Sequence, residues 1–145
     1  MLGAFALAAA VAAIVWYFRH RPAPPAPPPV PPHVRAKQRL NAALDLLHDP
    51  RVFCIRVSDA LRNYLEECFR LRAPERTTEE FLAELRTSPI LTTGQKEALA
   101  AFLASCDLVK FARHEPTEAD LRSLHGCALR LVEETSSSNL EPVSA

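Results

Sequence analysis

The sequence has little glycine: three in 145 residues, at Gly3, Gly94 and Gly126. Neither G-x-x-x-x-G-K-[ST] nor G-x-G-x-x-G occurs, so no phosphate cradle is signalled. No segment alternates apolar and polar residues for long enough to form a half-buried strand, which argues against a sheet. Seventeen basic residues are matched by seventeen acidic ones, so no global field recruits nucleic acid or an acidic substrate. A basic recognition helix is missing as well. There is no C-x-x-C pair, no H-E-x-x-H and no G-x-S-x-G elbow. The residues therefore signal no catalytic site, no metal, no cofactor and no small-molecule ligand, and the chain reads as non-enzymatic.

What is present is Leu, Ala, Glu and Arg, a composition that favours helices. Proline is abundant but confined: eight of thirteen lie between Pro22 and Pro32. Cys54, Cys68, Cys106 and Cys127 lie on or near apolar helical stripes, where free cysteine acts as a small hydrophobe. A reducing compartment fits them better than a disulfide framework.

Met1 to Phe18, MLGAFALAAAVAAIVWYF, has no charged side chain. At about 1.5 Å per residue it makes roughly 27 Å of helix, enough to cross a bilayer core. Trp16 and Tyr17 close it at the depth aromatic side chains favour, and Arg19 and Arg21 follow. This positive-inside bias predicts a single-pass protein of the cytoplasmic (inner) membrane, N-terminus outside and C-terminal domain in the cytoplasm. A cleaved signal peptide is the competing reading, but its basic segment should precede the apolar run rather than follow it. Residues 19–33 form a basic, proline-rich juxtamembrane linker, expected to extend as polyproline II through Pro32.

From Val34 the apolar period is helical, and residues 34–134 are expected to form a bundle of about five helices. The first, from Val34 to His48, buries Ala36, Leu40, Ala43, Leu44 and Leu47. Asp49 and Pro50 open a second, which buries Phe53, Val57, Leu61, Tyr64, Leu65 and Cys68. Arg56, Asp59, Arg62, Asn63, Glu66 and Arg70 are assigned to its polar face, Asp59 pairing with Arg62 and Glu66 with Arg70. Thr77 and Glu80 have the spacing of a capping box before Phe81, Leu82 and Leu85. A further helix from Thr93 turns Leu99, Phe102, Leu103, Cys106 and Val109 inward. Thr117 with Asp120 caps the last, whose stripe is Leu121, Leu124, Ala128, Leu131 and Val132; His125 reads as a core histidine. Residues 135–145 have little to bury and are expected to be a disordered tail. The overall expectation is all-α: a transmembrane helix (1–18), a linker (19–33) and a compact helical domain.

Charge is uneven along the domain. Arg35 to Arg76 holds nine basic and six acidic residues; Thr77 to the end holds six and eleven. Such halves most simply complement each other within one fold. The richest stretch, CDLVKFARHEPTEADL (Cys106–Leu121), reads as a helix end, a turn and a capped helix start. Cys106 points inward, and Lys110 can bury its stem and reach Asp107 one turn back. Leu108 and Phe111 point the wrong way and need cover, for which the returning final helix is the favoured source. Asp107, Leu108, Lys110, Phe111 and Arg113 are the candidate partner-binding residues.

VSDALRNYLEECFRLRAPERTTEEFLAEL (Val57–Leu85) and LASCDLVKFARHEPTEADL (Leu103–Leu121) carry a resemblance. They are similar to a bacterial family with one N-terminal span, a basic proline-rich segment and a cytoplasmic helical domain. Its members are encoded beside MoxR-type AAA+ ATPases and von Willebrand factor A domain proteins, in clusters related to the Bacteroides aerotolerance (Bat) system. The resemblance brings no catalytic residues. It implies a membrane adaptor whose partners are the bilayer, a MoxR-type ATPase and von Willebrand factor A membrane proteins. The alternatives are a small enzyme with a pocket of Cys106, His114 and His125, or a secreted helical protein with a cleaved leader.

Overall fold

The computed structural model describes residues 28–71 and 76–140. The expected transmembrane helix, most of the linker and the last five residues of the expected tail lie outside them. Among the described residues no helix is long and apolar enough to cross a membrane, and no strand occurs. The chain forms α1 (Pro32–Ala43) with a 3-10 turn (Leu44–Leu46), α2 (Pro50–Phe69), α3 (Thr78–Thr87), α4 (Thr93–Phe111) and α5 (Glu118–Leu140).

Each start has a local cause. Pro31 holds the extended polyproline conformation (φ −54°, ψ 144°), but Pro32 already opens α1. The linker therefore ends one proline earlier than expected, because the first helical position needs no N–H donor. The first helix is also shorter than the span to His48: its end tightens into the 3-10 turn, leaving Leu44 and Leu47 only partly buried. Asp49 caps α2, its carboxylate accepting from Val52 N at 3.2 Å. Thr77 and Glu80 make both bonds of the expected box at α3. An equivalent box at α4 pairs Thr92 with Gln95. At α5, Thr117 Oγ1 accepts from Asp120 N at 3.2 Å, and Asp120 accepts from Thr117 N at 2.9 Å.

α2 is the central element, packing on α1, α4 and α5; α4 also meets α3 and α5, and α1 meets α5. Phe53, Val57, Leu61, Tyr64 and Leu65 are buried as the stripe predicts, and so are Phe81, Leu85, Leu99, Phe102, Leu103 and Leu121. Each such side chain contributes about 1.5–3 kcal/mol by leaving water. The halves of opposite charge do meet: Lys37 of α1 bridges to Glu133 of α5 at 3.0 Å, and Arg76 to Glu84 at 3.3 Å. Arg35 also pairs with Glu67.

Two readings of the polar residues are corrected. Arg62, assigned to the exposed side of α2, is only 8% exposed. Likewise α5 does not stop at Glu134 but runs on to Leu140. Thr135 is buried there and donates to the Leu131 carbonyl at 2.6 Å, while its oxygen lies 2.9 Å from Tyr64 Oη. This bond fixes α5 against α2, and burial pushes the Tyr64 phenol up to about 12.

Candidate functional site

The last turns of α4 carry four of the five candidates. Helical spacing sends Cys106 and Val109 to the core and leaves Leu108 and Phe111 outside, 54% and 77% exposed. The expected cover by the final helix is not made. Ala112 ends α4, and Arg113, in the left-handed region at φ 51°, turns the chain away. Residues 112–117 then run over the surface as an irregular segment before α5 begins. Leu108 borders a shallow hollow of about 280 Å³ with Val109, Pro116 and Leu124, on the α5 side. Phe111 lies instead at the mouth of a groove of about 530 Å³ between α2, α3 and α4.

Asp107, Lys110 and Phe111 meet at that groove, and residues from α2 and α3 complete it. Lys110 Nζ donates to Asp107 at 2.9 Å and lies 5.4 Å from the centroid of the Phe111 ring, within cation–π range. Arg62 reaches across from α2: Nη1 donates to the Arg76 carbonyl at 2.9 Å and Nη2 to Thr78 Oγ1 at 2.6 Å. Its guanidinium also sits 5.8 Å from the Phe81 ring centroid. Burial alone would raise the Asp107 carboxyl. Hydrogen bonds from Thr78 and Lys110, with the charges of Lys110 and Arg62, outweigh it and leave the carboxyl below its ordinary range. The charges thus brace one another and hold Phe111 on a firm rim. Arg113 stands apart, exposed in the loop.

Arg62, Arg76 and Thr78 were not among the sequence candidates. Thr78 adjoins a recognisable cap, but nothing in the spacing shows that an arginine sixteen residues earlier reaches it.

The thiol and imidazoles of the alternative pocket differ in exposure: Cys106 and His125 are buried and His114 is exposed. Cys106 is fully buried and hydrogen-bonded to Cys54; this bond and burial push its thiol pKa far up, against the thiolate. His125 is buried on α5, where burial lowers its pKa against an opposing hydrogen bond to the Leu40 backbone of α1. His114 is exposed beside Pro116. Among the described residues no group of three or more His, Cys, Asp or Glu side chains could hold a metal ion. No family model, curated protein or solved structure matches the chain.

Proposed function

We propose that this chain is a non-enzymatic, single-pass membrane adaptor whose helical domain docks protein partners through the C-terminal edge of α4. One observation carries the reading. Phe111 is a large aromatic side chain, 77% exposed, on a rim where the adjoining Asp107 and Lys110 are already paired. A ring held in water by a braced scaffold is the kind of anchor that drives association when a partner covers it. Leu108 extends the apolar ridge, while Asp107, Lys110 and Arg113 supply a polar surround.

The partners the sequence resemblance implies are a MoxR-type AAA+ ATPase and von Willebrand factor A domain membrane proteins. The anchor over residues 1–18 would hold the domain at the cytoplasmic face and raise its effective concentration towards them. The test is crosslinking and co-purification of the full chain from membranes, with wild type and Phe111→Ser side by side. Recovery of an ATPase or von Willebrand factor A protein by wild type, lost in the variant, is the expected result. Equal recovery by both would remove the α4 edge from the interface, and recovery of neither partner by wild type would end the adaptor reading.

A further inference from the structure

The hollow between α1 and α2, about 660 Å³, meets the groove at α3 and α4 only at Asp59, which lines both. Its wall carries Arg39 and Asp45 from the first helix and its 3-10 turn, and Arg56 and Asp59 from α2. All four are exposed, and among the described residues none of their side chains makes a hydrogen bond or an ion pair. Between them lie the small side chains of Ala42, Ala43 and Ala60, with Leu46 and Asn63 completing the lining. Two cations and two carboxylates cancel, so neither a simple anion nor a simple cation is the fitting ligand. A surface bearing both signs is required.

The order of the charges narrows this further. α1 and α2 are successive helices packed as a hairpin, so their N-termini point opposite ways. Helical side chains lean towards the N-terminus of their own helix. The long guanidinium of Arg56 therefore leans towards the connecting turn, on the side of Asp45. That of Arg39 leans away from the turn, on the side of Asp59. Like charges then lie on a diagonal, and a diagonal patch is complementary to itself. Turned over by a two-fold axis along the groove or across it, each cation meets a carboxylate. Such isologous pairing is the commonest form of protein oligomer, and the small alanine side chains let two helical backbones approach closely.

We propose that this groove is a self-association surface whose occupant is a second copy of the chain, with Arg39 and Arg56 of one copy facing Asp45 and Asp59 of the other. Asp59 also lines the groove beside Phe111, so the two surfaces adjoin along α2.

The test measures self-association of the full chain in detergent micelles by sedimentation equilibrium and by co-capture of two differently tagged copies. Wild type should associate, and more weakly as salt is raised. Arg39→Glu with Arg56→Glu, and separately Asp45→Arg with Asp59→Arg, should each weaken association by about tenfold or more, as loss of close charge pairs does. All four positions are exposed, so circular dichroism should confirm both variants as folded. Mixing the two variants should restore association, because each then carries the other's complement. Ala42→Trp, which fills the hollow, should block it in every combination. A wild-type chain that stays monomeric at every concentration reached overturns the proposal. So does association indifferent to both reversals, or a mixture no stronger than its components.

Discussion

The two grooves flanking α2 are built from similar residue types and differ in how their charges are used. In the groove at α3 and α4, Arg62, Arg76, Asp107 and Lys110 each have partners within the chain, and the ring of Phe111 stays exposed beside Lys110. In the groove at α1, the side chains of Arg39, Asp45, Arg56 and Asp59, the last shared with the other groove, have none, and Ala42, Ala43 and Ala60 lie among them. Arginine content is therefore a poor guide to what a surface does. Internally paired charges stiffen a site and shift recognition to an apolar anchor. Unpaired ones keep their interaction energy for whatever arrives.

That contrast is broken most sharply by truncating one arginine in each groove. Arg62→Met removes bonds to the Arg76 carbonyl and Thr78 and strips Asp107 of a nearby cation, so it should destabilise the fold by about 3 kcal/mol in urea unfolding. Arg56→Met should stay within about 0.5 kcal/mol of wild type, as exposed substitutions do. Equal losses would mean that Arg56 has a structural role after all.

A control follows from the element the grooves share. Tyr64 faces away from both and ties α2 to α5 through Thr135. Tyr64→Phe should cost about 1 kcal/mol, the usual net value of one hydrogen bond, and change neither partner recovery nor self-association under folding conditions. A selective loss of one binding activity would show that α5 supports that groove in particular. Smaller still is the stability effect of Phe111→Ser, expected within about 0.5 kcal/mol because the ring is already in water. Its effect on partner recovery should nevertheless be the largest of the set.

Much of the scaffold was legible before any coordinates. The inward stripe through Leu99, Phe102, Leu103, Cys106 and Val109 and the Thr77–Glu80 and Thr117–Asp120 caps follow from spacing alone, because each is a local property of one helix. Spacing does not say which neighbour crosses a helix at its edge. Arg62 looks polar and solvent-facing until α3 is placed over it. Thr135 looks like the start of a polar tail until its hydroxyl meets Tyr64. The wheel points Leu108 and Phe111 outward correctly, but the left-handed turn at Arg113, which denies them cover, leaves no mark in a helical period. The α1 groove was missed for a related reason: its four charged residues come from two helices, and each looks like ordinary surface on its own.

Acid offers a graded way to separate the two regions. His125 is buried on α5 and contacts the Leu40 backbone of α1, so it lies beneath the α1 side of the bundle. Burial holds its pKa below the ordinary 6.5, against the Leu40 hydrogen bond that favours the charged ring; the nearby Arg122 charge lowers it further. The unfolded chain therefore takes up the proton first as pH falls. Its contribution is fully present above about 6.5 and is lost through the window between that value and the lower folded one. Amide exchange followed from pH 7.5 to 5.5 should show protection falling in α1 and the facing part of α5, with less change at Phe111 and α3. Self-association through the α1 groove should weaken over the same range. His125→Gln keeps a polar side chain without the titration and should flatten both responses. An unchanged pH response in that variant would assign the effect to groups other than His125.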